Sequence, residues 1–161
     1  MLLISDANII IDMEVAELTE AMFNLPHEFA VPNVLYQEEL HPECEPLIEL
    51  GLQIYILPGD VMASVEPLRA AHRRLSANDL LAMVLARHLD CPLLTGDRHL
   101  REAAAALNLQ VYGSLWLMAE MFRAGILTIQ QVEEAYALMR AADRRLPWDD
   151  VELQLQEMRG D

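Results

Sequence analysis

Positive charge is scarce in this chain: 11 lysines and arginines stand against 26 aspartates and glutamates, a formal net charge of −15 over 161 residues. That balance argues against a protein that grips nucleic acid with a broad basic surface. It fits one that recruits cations or meets a basic partner, although soluble proteins also carry acids simply as surface charge. Cysteine is scarce as well. Cys44 and Cys91 lie far apart and match no metal-ligand spacing. Cys91 reads as a small buried hydrophobe and Cys44 as a loop residue. Free thiols without a signal peptide lead us to expect a cytoplasmic protein. No stretch has the length of uncharged apolar sequence that a membrane span needs.

Other absences narrow the chemistry. The histidines His27, His41, His72, His88 and His99 form none of the spaced pairs of a zinc site, and only His99 falls near the acids discussed below. No serine, cysteine and histidine arrangement points to covalent catalysis. Neither common glycine-rich phosphate loop is present. A flavodoxin-like small-molecule module is therefore a poor reading. The length suits a single domain with a short appendage, large enough to hold a core without disulfides.

What is present is alternation. Short apolar runs end at Ser5-Asp6, Pro32, Leu57, Thr95 and Tyr112, and helical stretches lie between them. The spacing predicts helices over 8–24, 34–40, 44–50, 61–75, 76–88 and 98–107. Strands that are apolar throughout and alternate with helices predict an α/β fold with a parallel sheet covered on both faces. After Gly113 the pattern is helical only. Ser114 to Ala124 forms one helix, Thr128 with Gln131 forms a capping box for the next, and Pro147 starts a last one over 148–158. The face of Leu117, Met118, Met121 and Phe122 either closes the core or joins a second subunit. We expect a core over 1–113 and a C-terminal helical extension over 114–161.

In open parallel sheets ligands bind beyond the carboxyl ends of the strands. Asp6 directly follows the first strand and Asp97 the fourth; Glu38 and Glu39 lie in the helix after the second, and Asp79 in the first turn of the helix before the fourth. Two carboxylates about 4 Å apart repel by roughly 4 kcal/mol at an effective dielectric of about 20, so such a cluster needs a counter-charge. Hard divalent cations, Mg2+ or Mn2+, supply it through all-oxygen ligation, and activate water for phosphodiester hydrolysis. Each acid also has an ordinary reading. Ser76 to Asp79 is a capping box, Asp97 suits a helix N-terminus, and Glu38 and Glu39 suit a solvated helix face. Asp6, directly after an apolar strand, is the hardest to dismiss. Arg98 and Arg101, just beyond Asp97, either hold a substrate phosphate or pair with nearby acids.

Taken in order, these segments resemble the PIN-domain ribonucleases. Ile4-Ser5-Asp6-Ala7-Asn8-Ile9-Ile10-Ile11-Asp12 is similar to the family's first motif, in which the aspartate is a metal ligand and the asparagine orients it. Val31 to Leu40 resembles the second, supplying Glu38 or Glu39, with a slight preference for Glu38. Leu75-Ser76-Ala77-Asn78-Asp79 and Leu94-Thr95-Gly96-Asp97 resemble the third and fourth. The resemblance covers about residues 1–113. It implies a three-layer α/β/α fold on a mostly parallel five-stranded sheet, with Asp6, Glu38 or Glu39, Asp79 and Asp97 as catalytic metal ligands and Asn8 beside them. It further implies Mg2+- or Mn2+-dependent endoribonuclease activity on RNA, frequent homodimerisation, and for many members a place as the toxin of a toxin–antitoxin pair, with an antitoxin partner. The alternative is a PIN-like scaffold without catalysis. Gly113-Ser114-Leu115-Trp116 and the helices after it resemble one subgroup with a longer C-terminus.

Overall fold

Five short, mostly apolar segments pair into one sheet, its central strands enclosed and its two outermost strands half-buried. In this computed structural model, which describes residues 1–160, they are β1 (Leu2–Ser5), β2 (Glu28–Pro32), β3 (Gln53–Tyr55), β4 (Leu93–Leu94) and β5 (Val111–Tyr112). The order is β3-β2-β1-β4-β5 and every neighbouring pair is parallel. Burial of Leu3, Ile4, Phe29, Ala30, Val31, Leu93 and Leu94, all fully enclosed, explains why these strands show no alternation. Helices cover both faces in a three-layer α/β/α arrangement.

The order carries a functional consequence. The chain steps from β1 outward to β2 and β3, then returns to the other side of β1 as β4. The switch point therefore lies between β1 and β4. Ile4 pairs with Leu93 and Ser5 with Leu94, so Asp6 and Thr95 leave the sheet side by side.

Among the described residues eleven α-helices surround the sheet: α1 (Ala7–Val15), α2 (Thr19–Phe23), α3 (Asn33–Leu35), α4 (Pro46–Leu50), α5 (Gly59–Ala63), α6 (Val65–Ala71), α7 (Ala77–Leu89), α8 (Arg98–Ala106), α9 (Ser114–Arg123), α10 (Ile129–Ala141) and α11 (Trp148–Arg159). Among the described residues no helix is long and apolar enough to cross a membrane. The capping boxes expected at Ser76 and Thr128 both form. Helix α7 packs against β1, β2 and β4 at the centre of the sheet.

Several boundaries differ from the sequence reading. The helix expected over 8–24 is two, because Glu17 takes a left-handed conformation at φ 59°. Leu18 N–H then reaches Met13 O at 2.9 Å, a Schellman closure made without glycine. The helix expected over 61–75 is also two shorter ones, broken at Ser64. After α3 the chain widens into a π-helical turn, Tyr36–Leu40, in which His41 N–H donates to Tyr36 O at 2.8 Å. Cys44 lies outside the helices as expected but is buried, whereas Cys91, expected to be buried, is only half-buried. Cys44 lies in the turn between the π-helical segment and α4, and that turn folds inward onto the core.

The C-terminal helices complete the core. Leu117, Met118 and Met121 of α9 and Val132 and Met139 of α10 are fully enclosed in the same apolar cluster as the sheet residues. We expect Met139→Ala to cost about 2–5 kcal/mol, as for other buried methionines, measured by urea denaturation. A loss under about 1 kcal/mol would mean that α10 packs loosely on the sheet domain.

Candidate active site

The site is built from strand ends and helix starts. Asp6, 1% exposed, ends β1 and caps α1, accepting Ile9 N–H on Oδ1 at 3.0 Å. Its other oxygen accepts the hydroxyl of buried Thr95. That hydroxyl oxygen in turn accepts Asp97 N–H at 3.0 Å. One threonine thus ties the end of β1 to the turn after β4. Asp97 caps α8 through Oδ1 and Leu100 N–H at 2.8 Å. Half-buried Asp79 closes the capping box of α7, accepting Ser76 N–H at 3.1 Å on Oδ2.

Glu38 and Glu39 sit side by side, both exposed, on the π-helical turn. Such turns occur often at functional sites, where they re-aim side chains. Buried Asn78, next to Asp79, donates to Glu38 Oε2 at 2.8 Å, while its own carbonyl oxygen is enclosed without a partner.

The electrostatics follow from this placement. Burial pushes the Asp6 carboxyl up to about 7; the Thr95 and Ile9 hydrogen bonds oppose the shift, and the nearby charges of Asp79 and Asp12 add to it. Glu39 is also raised, first by desolvation and further by Asp79 and Glu38, while the nearby Asn78 amide acts in the opposite direction. Asp6, Asp79 and the glutamate pair therefore share one field, and Asp97 joins through Thr95. None of these acids makes an ion pair among the described residues.

The remaining candidates divide. Asn8 is exposed on the first turn of α1, and its Oδ1 accepts Arg144 Nη2 at 3.3 Å. Arg98 lines a cavity of about 520 Å3 together with Asn8 and Asp97. Arg101 is exposed and outside that cavity.

A family model described as PIN domain matches residues 2–159. The chain belongs to the PIN-domain family. No curated protein matches it. A similar solved structure is a PilT N-terminus domain protein from the hyperthermophilic archaeon Sulfolobus solfataricus P2. The two share 11% identity at a TM-score of 0.53, over 75% of this chain and 93% of that one, a likeness of fold. PIN domains are in general nucleases and typically use divalent metals.

The residues present suit such an ion in type and charge. They offer carboxylate oxygens only, the set that hard cations take, and they lack a compensating cation of their own. Among the described residues no three Asp, Glu, His or Cys side chains form a closed cage. Magnesium does not require one, since it keeps several waters and commonly takes one or two protein carboxylates.

Three residues of this PIN domain were not singled out from sequence. Thr95 stood within the fourth motif but carried no signal beyond its position. Asp12 and Arg144 are 132 residues apart, yet Arg144 Nε donates to Asp12 Oδ1 at 2.6 Å, and Ser114 Oγ donates to the other oxygen at 3.2 Å. Burial still raises the Asp12 carboxyl despite these partners. Asp143, left-handed at φ 56°, and the bond from Arg144 N–H to Met139 O turn the chain at the end of α10.

Two outcomes test this electrostatic account. Asp6 is raised from 3.8 to about 7, so between those values the folded protein holds a proton that the unfolded chain has released. Its contribution is therefore favourable at low pH and is lost as pH rises through about 7. In EDTA, Asp6→Asn should match wild type in unfolding free energy near pH 4 and exceed it increasingly up to about pH 7, by on the order of a few kcal/mol, with a correspondingly higher Tm at pH 8. A lower Tm for the variant at pH 8 would mean that Asp6 has a cationic partner. Thr95→Val strips a donor from the buried carboxylate and should cost about 1–3 kcal/mol, whereas Thr95→Ser should cost clearly less. Equal stability of the two variants would remove the hydroxyl from the account.

Proposed function

We propose that this PIN domain is a metal-dependent endoribonuclease that hydrolyses RNA phosphodiesters. The observation that carries the reading is Asp6. A carboxylate is enclosed at the switch point of the sheet, under the charge of Asp79, with no cation paired to it. A site at this cost in desolvation and repulsion is poorly explained by solubility or by helix capping alone.

In this reading Asp6, Asp79, Asp97 and either Glu38 or Glu39 hold Mg2+ or Mn2+. Such an ion supplies Lewis acidity toward a phosphoryl oxygen and a more acidic water. The protein's own groups position and exclude. Thr95 fixes the Asp6 carboxylate, and Asn78 holds Glu38. Asn8 flanks the site, and Arg98, which lines the same cavity as Asp97, would meet a substrate phosphate. Arg101, outside the cavity, is the weaker candidate for that task. The family resemblance supports a toxin of a toxin–antitoxin pair, with a homodimer and a protein antitoxin as partners. The helices from residue 114 onward, in this reading, are an extension packed on the nuclease core.

A second reading, a PIN-like binding domain without catalysis, draws on the fact that among the described residues no three Asp, Glu, His or Cys side chains converge. One experiment separates the two. Purified protein with Mn2+ or Mg2+ should cleave a panel of RNAs, and Asp79→Asn should lose on the order of 100-fold or more in rate, since even outer-shell changes cost 10–100-fold. Asparagine can still serve the capping box, so the variant's circular dichroism spectrum and Tm should stay close to wild type. Indistinguishable cleavage by wild type and variant would defeat the catalytic reading.

A further inference from the structure

The chain contains no lysine, so all eleven of its basic side chains are arginines. Five of them gather in one region. Arg73 and Arg74, after α6, line a cavity of about 530 Å3 against α8. Arg98, Arg144 and Arg145 line the cavity of about 520 Å3 between the first turns of α1 and α8 and the loop joining α10 to α11. The two cavities share His99, whose Nε2 lies 3.3 Å from Arg74 Nη1.

These arginines are largely uncommitted. Arg73, Arg74 and Arg145 are exposed and make no ion pair among the described residues. Arg98 meets Glu102 at 3.4 Å, but both side chains are more than 60% exposed, and such pairs are weak. Arg144 is the exception. Its guanidinium is spent on Asp12 and Asn8, and that fastens the loop on which Arg145 is carried. Carboxylates are present too: Glu102 lines the first cavity, and Asp97 and Asp143 line the second beside the paired Asp12.

In a protein of net charge −15, such a gathering is not what an even surface distribution gives. Guanidinium groups are suited to phosphate, which they grip in pairs of hydrogen bonds. Each cavity has the size of a small-molecule site, wide enough for a nucleotide and too small for a duplex. Neither is lined by phenylalanine, tyrosine or tryptophan, so little stacking would read the bases.

We propose that the two cavities form one track for the phosphate backbone of a single-stranded nucleic acid, with Arg73 and Arg74 on one side, Arg98 and Arg145 on the other and His99 between. The track rests on the nuclease reading and deepens it. It passes Asp97, so a strand lying in it meets the carboxylate site, and the C-terminal extension contributes Asp143, Arg144 and Arg145 to the lining. Recognition through phosphates implies weak base preference.

The test measures binding rather than cleavage. In Asp79→Asn protein with Mg2+, anisotropy of a labelled 12-nucleotide oligouridylate is followed from 50 to 200 mM KCl. Arg74→Gln/Arg145→Gln should weaken binding at least about fivefold at 50 mM and flatten the slope of log K against log salt by about 1.4, or about 0.7 per lost phosphate contact. The control Arg87→Gln/Arg123→Gln removes equal charge from exposed positions outside both cavities and should change binding much less. Equal losses in the two pairs, an unchanged slope, or no binding by the parent protein would each overturn the track. Binding that depends on these arginines in a wild-type protein that cleaves nothing would keep the track and remove the nuclease reading.

Discussion

The structure turns on the burial of one carboxylate. Asp6 leaves β1 where the sheet changes direction, and there it is almost wholly enclosed. A charge in that position costs several kcal/mol unless hydrogen bonds and a cation repay it. The fold provides the hydrogen bonds. The start of α1 gives Ile9 N–H, and Thr95 gives a hydroxyl from the neighbouring strand end. Because the same hydroxyl oxygen accepts Asp97 N–H, the positions of Asp6 and Asp97 are coupled. The order β2-β1-β4 brings both to the carboxyl end of the central strands, and α7, packed across the sheet, brings Asp79 to the same field. What the fold does not provide, among the described residues, is a cationic side chain paired with Asp6.

The C-terminal helices have a part in this. Arg144 reaches back to Asp12 and Asn8 on α1, and Ser114 at the start of α9 meets Asp12 as well. Helix α1 is thus held at its N-terminus by the sheet and near its middle by the extension. Asp12 is an acid of the same opening segment as Asp6, yet it has a fixed positive partner and Asp6 has none. Two carboxylates six residues apart are therefore set to different ends, one structural and one available.

Much of this was legible in the sequence, and the failures share a cause. Apolar runs ending in Asp6 and Asp97 marked the strand ends because a parallel sheet buried on both faces leaves no other pattern. The capping boxes at Ser76 and Thr128 were legible because both partners lie within four residues. The break at Glu17 was not, since the expected sign of a Schellman end is glycine and a glutamate in the left-handed region is held there by its surroundings. The π-helical turn carrying Glu38 and Glu39 leaves no composition cue, so the choice between the two glutamates stayed open. Thr95 and Arg144 were missed because their importance lies in partners 89 and 132 residues away. The burial of Cys44 and the partial exposure of Cys91 were not legible because local pattern does not reveal which turn folds inward.

The acidity of the chain and a polyanionic substrate are less opposed than the net charge implies. At physiological ionic strength charges farther apart than about 8 Å are largely screened. The surplus of negative charge then acts mainly on the rate of encounter, whereas contacts within a cavity depend on the side chains that line it. An acidic exterior also removes the nonspecific affinity that basic surfaces carry, leaving binding to the few places where arginines gather. Here those places adjoin a carboxylate cluster that is itself short of positive charge. In the proposed reading, a strand that enters with its counter-ions brings phosphates to the arginines and cations to the acids at once. The two halves of the region are therefore complementary to an ion-paired strand, even though neither the whole protein nor the acid cluster alone attracts nucleic acid.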